Sequence, residues 1–168
     1  MEERVILVDE EDNEVGTEEK IKAHREALLH RAFSIFVFNS KGEMMLQQRA
    51  KEKYHCGGLW STAACSHPRK GESVEEGAHR KLQQEMGFDV PLTRLFSFIY
   101  KAPLDNGLTE HELDYVLIGH YDQDPVFNPE EAMAFKWIAP EKLQEDVQNN
   151  PDNYTPWFKI VLDRVIEY

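Results

Sequence analysis

The 168-residue sequence is poor in cysteine, in basic charge and in long apolar runs, and each shortage removes a class of protein. Its two cysteines, Cys56 and Cys65, form no CxxC pair, so neither a disulfide framework nor a zinc-finger pattern is present. Reduced thiols fit a cytoplasmic protein. No apolar run approaches the roughly 20 residues of a membrane-spanning helix. The start MEERVILVDE is too acidic, and too short in apolar residues, for a secretory leader. Nineteen Lys and Arg stand against 31 Asp and Glu, and the net charge of −12 disfavours a nucleic-acid partner, whose phosphates call for clustered basic residues. Repeats, low-complexity tracts and linkers are also missing. The expectation is one cytoplasmic domain over 1–168, a monomer or weak dimer with neither a nucleic-acid nor a membrane partner.

What is present is a globular composition, 41% hydrophobic, long enough for a core of its own. RVILVD reads as a strand, with a turn at EEDNEVG; EEKIKAHREALLH reads as loop and short helix. AFSIFVFNSKGEMMLQQRA reads as a hairpin around NSKG, its first strand apolar on both faces as in a central strand. SVEEGAHRKLQQEMGF is the clearest helix: Ser73 and Glu76 form a capping box, Val74, Ala78 and Leu82 an apolar stripe, and Gly87 the C-terminal stop. Glu85 shares the edge of the inward face. LFSFIYKA and HELDYVLIGHY read as strands, PEKLQEDVQ as a short helix, and the final TPWFKIVLDRVIEY as a helix with Thr155 as N-cap and Pro156 first. Strands followed by helices with few βαβ units argue an α+β sandwich.

The chemistry concentrates in a few places. His24 and His30 flank the entry to the central strand, and His67 lies two residues after Cys65. Glu110 and Glu112, two apart on a strand, point to one face. Three imidazoles and two carboxylates suit Zn²⁺, Mn²⁺ or a similar ion if they converge, which spacing does not decide. Taken singly, each histidine reads first as a hydrogen-bonded surface or core residue and the two glutamates as a solvated strand edge. Cys65 reads as a buried hydrophobe, a metal ligand or a reactive thiol. The basic clusters QQRAKEK and HPRKGE, unusual in so acidic a chain, suit a small anion such as a diphosphate.

STAACSHPRKGE closely resembles the type I isopentenyl-diphosphate isomerases, a branch of the Nudix superfamily, and other stretches do so in the same order. KAHREALLHRAFSIFVFN is similar to the family's first metal-binding segment, QQRAKEKYHCGGLWSTAACSHP to its basic loop and catalytic-cysteine motif, LTEHELDYV to its Glu-x-Glu strand, and YTPWF to the segment of its active-site tryptophan. The resemblance implies a Nudix-like α/β/α sandwich with a mixed central sheet. It implies a metal site of His24, His30, His67, Glu110 and Glu112 holding one divalent ion (Zn²⁺, Mn²⁺ or Mg²⁺), and Cys65 and Glu112 as acid–base pair with Tyr100 beside the glutamate. Glu85 would reach a Mg²⁺ carried by the substrate diphosphate; Lys20, Arg49, Lys53 and Lys81 would grip that diphosphate, and Trp157 would lie over the reacting carbons.

A Nudix hydrolase box reads G-x5-E-x7-R-E-U-x-E-E-x-G-U, with U a bulky aliphatic. Here its positions hold Ser66, Glu72, Arg80, Lys81, Leu82, Gln84, Glu85, Gly87 and Phe88, so the first glycine and two glutamates are missing. A pyrophosphohydrolase acting on a nucleoside diphosphate derivative, the alternative activity, needs several of those carboxylates. A silent module that merely binds a diphosphate is the third reading. The implied reaction is a reversible proton shift from isopentenyl to dimethylallyl diphosphate. No carbonyl acidifies the C–H bond, so the alkene is protonated first and a tertiary cation forms.

Overall fold

The structure, a computed structural model, describes residues 3–167. A first hairpin, β1 (Arg4–Val8) and β2 (Glu14–Glu19), leads through α1 (Lys20–Arg25) into β3 (His30–Phe38). The chain continues through β4 (Met44–Arg49), β5 (Trp60–Ser61), β6 (Ala64–Ser66) and α2 (Val74–Met86). Two long strands follow, β7 (Thr93–Pro103) and β8 (Thr109–His120), then β9 (Ala132–Ile138), α3 (Pro140–Asn149) and α4 (Pro156–Ile166).

Among the described residues β3 is the hub of a mixed nine-stranded sheet. Along one edge β8 runs parallel to it from His30↔Glu112 to Phe38↔His120. Its other edge is shared in turn by β1 at Leu7↔His30, β6 at Phe33↔Ser66 to Ile35↔Ala64, and β4 at Phe38↔Met44. β3 and β4 were expected to form an extended hairpin; they pair only at the turn. Beyond it β6 takes the edge of β3, and β9 and β5 pair with β4. β2 also corrects the sequence reading: of EEDNEVG only the first part turns, and Val15 and Gly16 lie in a strand.

Both faces of the sheet are covered, which explains the apolar run of β3. Phe33, Ile35, Val37 and Leu117 pack under Val74, Ala78, Leu82 and Met86 of α2. The alternate residues, Phe36 and Val116, pack against Phe158, Val161, Leu162 and Val165 of α4. This is an α+β sandwich of the layered kind expected. Truncating fully buried Phe158 to Ala would cost about 3–5 kcal/mol.

The helix ends follow local chemistry. Ser73 Oγ accepts from Glu76 N at 3.0 Å while Glu76 Oε1 accepts from Ser73 N at 2.9 Å, the reciprocal capping box. Gly87 ends α2 at φ 73°, a left-handed conformation that favours glycine. Thr155 sits at the start of α4, but its hydroxyl caps nothing; it donates to Ser61 Oγ at 3.0 Å and ties the helix to β5. Among the described residues no helix is long and apolar enough to cross a membrane.

Candidate active site

The sheet register assembles the site. Pairing of β3 with β8 sets His30 opposite Glu112, and pairing of β7 with β8 sets Tyr100 opposite Glu112 and Ala102 opposite Glu110. β6 places Cys65 beside Ser34 of β3, so the cysteine shares a face with the even-numbered residues of that strand. α1 carries His24 in its last turn, and His67 follows directly after β6.

His24, His30, His67 and Glu112 bring ligand-type atoms within 4.8 Å of one another, and all four are buried. A second set, His24, His55 and Glu110, meets the same condition and shares His24. His24 Nδ1 bonds the carbonyl of Lys20 and His30 Nδ1 that of Leu28, each at 2.8 Å. A carbonyl only accepts, so both rings carry their proton on Nδ1 and turn the Nε2 lone pair inward. There His24 Nε2 faces Glu110 Oε1, and His30 Nε2 lies 3.3 Å from Glu112 Oε2. His24 Nε2, His30 Nε2 and Glu110 Oε1 are buried with no hydrogen-bond partner. Lone pairs facing lone pairs away from water are costly unless a cation lies between them. The donor set of imidazoles and carboxylates therefore fits a divalent ion.

Around this cluster the hydroxyl of Tyr100 donates to Glu112 Oε1 at 2.6 Å, with Glu110 Oε2 at 3.0 Å. Burial and then the two glutamates push the Tyr100 phenol well above its ordinary range, so it stays a donor. His67 Nε2 lies 3.0 Å from Glu112 Oε2, and burial pushes that imidazole well below its ordinary value. Burial drives the Cys65 thiol far up, against the opposing charge of Arg49. The site thus pairs a thiol that burial keeps protonated with a carboxylate that accepts from Tyr100.

A pocket of about 150 Å³ opens over these groups. Cys65, His67, Glu110 and Glu112 line it, with Trp157 at one wall and Lys20, Arg49, Lys53, Lys81 and Glu85 around the rest. His24, His30 and Tyr100 do not line the pocket but contact the two glutamates that do. Arg69 and Lys70 of the HPRKGE cluster stay outside it, paired with Glu3 and Glu14 on the surface. Lys81 Nζ is 3.4 Å from Glu85 Oε2, whose other oxygen accepts from Gln47 Nε2 at 3.1 Å. Lys53 Nζ is 2.6 Å from Glu131. Burial and the neighbouring Lys53 lower the Lys20 ammonium, the mark of cations gathered in one place.

Among the pocket and cluster residues that escaped sequence reasoning are Tyr54, His55, Asp114 and Glu131. His55 stood inside the quoted basic loop, but an isolated histidine there carries no spacing signal. Asp114 extends the Glu110, Glu112 alternation by one step and is fully buried, held by Ser34 Oγ at 2.8 Å. Burial, and then Glu112, push its carboxyl well above the ordinary range. Glu131 belongs to a loop whose link to the lysines exists only in the fold.

The box-like positions of α2 have a structural job. Arg80 clasps Glu72 through Nε at 2.7 Å and Nη2 at 2.9 Å, and also reaches the carbonyl of His67 at 3.3 Å. Glu75 is held by Arg94 and Glu76 by the helix cap, so Glu85 is the one α2 carboxylate at the pocket.

The NUDIX domain family matches residues 28–158. The chain is 49% identical over 163 residues to Isopentenyl-diphosphate Delta-isomerase 2 of Photorhabdus laumondii, covering 97% of this chain and 92% of that one. It is 51% identical over 166 residues to Isopentenyl-diphosphate Delta-isomerase 2 of Aromatoleum aromaticum, covering 99% and 88%. In fold it resembles the Deinococcus radiodurans protein DR0079, with a TM-score of 0.82 and 23% identity over 96% of this chain and 98% of that one. The MutT protein of Methanosarcina mazei follows the same fold at a TM-score of 0.67 and 17% identity, covering 81% and 91%. By these likenesses the chain belongs to the isopentenyl-diphosphate Delta-isomerase family and is built on the NUDIX domain.

Proposed function

We propose that the protein converts isopentenyl diphosphate reversibly to dimethylallyl diphosphate, with Cys65 and Glu112 as its acid–base pair. The observation that carries this is the shared pocket: a thiol and a carboxylate line one hollow beside a tryptophan, with cations at its rim. One group adds a proton to the terminal methylene carbon, leaving a tertiary cation; the other removes a proton from the carbon two positions away. The two exchange roles with direction, since each step is reversible.

Trp157, 3% exposed, offers a ring face worth roughly 0.5–2 kcal/mol to a nearby positive charge. Its wall also keeps out water, which would trap the cation as an alcohol. Lys20, Arg49, Lys53 and Lys81 grip the diphosphate, which takes no part in bond changes and serves to orient the carbons. Glu85 meets the Mg²⁺ that travels with that diphosphate. A divalent ion held by His24, His30, His67, Glu110 and Glu112 (Zn²⁺, Mn²⁺ or Mg²⁺) would supply positive charge that sets the basicity of Glu112. Tyr100 holds both glutamates in place through its hydroxyl. In this reading the chain acts as one domain over 1–168 in the cytoplasm, a monomer or weak dimer, with its two thiols free. Met1, Glu2 and Tyr168 lie outside the described residues.

The test is incubation with isopentenyl diphosphate and Mg²⁺. Formation of dimethylallyl diphosphate without release of phosphate supports the proposal. Hydrolysis of nucleoside diphosphate derivatives in its place would restore the pyrophosphohydrolase, and tight binding without turnover the silent module.

A further inference from the structure

His55 has no part in the proposed reaction, yet it touches three portions of the site. Arg49 donates to its backbone carbonyl through Nε at 3.3 Å and Nη2 at 3.2 Å, and Nη2 also lies 3.4 Å from His55 Nδ1. The ring packs edge-on against Trp157, with centroids 5.4 Å apart. Its Nε2 is fully buried, has no hydrogen-bond partner and lies 3.8 Å from Glu110 Oε1.

Arginine has only donors, so His55 Nδ1 must accept, and a neutral ring then carries its proton on Nε2. This is the reverse of His24 and His30, whose Nε2 atoms offer lone pairs. A protonated Nε2 cannot ligate a metal but can donate to a carboxylate. We propose that His55 is a positioning residue for the metal site: its Nε2–H fixes the Glu110 carboxylate, and the ring stays outside the coordination shell. At 3.8 Å the pair stands just beyond hydrogen-bond reach, and a small turn of the carboxylate closes the gap. The same imidazole thereby links the diphosphate-gripping Arg49 to the ligand Glu110. This rests on the metal-site assignment made above.

The test is Mn²⁺ affinity, measured by competition with a chelator, in the wild type, His55→Gln and His55→Asn. Glutamine places an amide N–H where Nε2 lies; asparagine keeps an acceptor for Arg49 but does not reach Glu110. His55→Gln is expected to stay within about threefold of wild type, and His55→Asn to lose about tenfold or more. Equal affinity in all three proteins overturns the proposal. An equal loss in both variants also overturns it, because that pattern marks direct ligation. Long-range proton–nitrogen NMR of the Zn²⁺-loaded wild type is independent of variant folding: a proton on His55 Nε2 supports the proposal, and one on Nδ1 overturns it. Neither readout involves isopentenyl diphosphate. A protein that shows the expected pattern without isomerising overturns the proposed function alone; one that binds no Mn²⁺ overturns the positioning role alone, and the isomerase assay still decides the proposed function.

Discussion

His30 and Glu112 are register partners on two parallel strands, and their Nε2 and Oε2 atoms lie 3.3 Å apart. A one-residue slip between β3 and β8 would send one of them to the opposite face of the sheet. The same ladder that builds the core therefore fixes the candidate metal site, and so metal occupancy and fold stability are coupled.

That coupling is measurable. At a cation concentration about a hundredfold above its dissociation constant, stability should rise by about 2.7 kcal/mol. In Glu110→Gln, which removes charge without volume, the gain should shrink sharply. Thermal melts with and without Mn²⁺ read this; an equal gain in both proteins would exclude Glu110 as a ligand.

Cys65→Ala and Glu112→Gln should each lower turnover by about 10²–10⁴-fold, the usual contribution of a positioned acid or base. Cys65→Ala should keep its melting behaviour, since the thiol lies at a pocket wall and not in the sealed core. Steady-state rates beside circular dichroism decide the point, and near wild-type turnover in either variant removes that residue from the mechanism.

The upward shift of the Cys65 thiol has a kinetic signature. The thiolate is the species that alkylating reagents attack, and burial disfavours it. Labelling of Cys65 by iodoacetamide should be slow at neutral pH and keep accelerating beyond the ordinary thiol value of 9.0. A plateau below that value would show an activated thiolate.

The clasp between Glu72 and Arg80 predicts a pH-dependent stability. Arg80 holds the Glu72 carboxyl below its ordinary value of 4.5, so the stabilisation is complete above that value and fades as pH falls through the lower folded one. Glu72→Gln should melt earlier than wild type at about pH 7, and the difference should shrink at about pH 3. A constant difference would mean that the ion pair is not its source. Ser73→Ala tests the other end of the same element. Loss of the cap should cost about 1 kcal/mol and lower the melting temperature by about 2–4 °C.

Local signals were the ones readable in the chain. The capping box, the Gly87 stop and the Val74, Ala78, Leu82 stripe act within a few residues, and α2 forms where they place it. Glu110 and Glu112 could be set on one face because a strand alternates with period two. Their partners could not be reached in this way. His24 and His30 lie more than 80 positions before their glutamates; the parallel β3–β8 pairing brings His30 close and α1 delivers His24, so convergence was implied by family resemblance and not by spacing. The splaying of β3 from β4 was hidden for a similar reason: the NSKG turn is a genuine hairpin turn, but competition from β6 and β9 is non-local. His55 was hidden because its role depends on Arg49 and Glu110, one near in sequence and one distant.

The most direct measurement of the proton shift is isotopic. Turnover of isopentenyl diphosphate in D₂O should place deuterium in the new methyl group of dimethylallyl diphosphate, because the added proton comes from an exchangeable acid. Product that forms without deuterium would contradict protonation by Cys65 or Glu112, whose protons exchange with solvent.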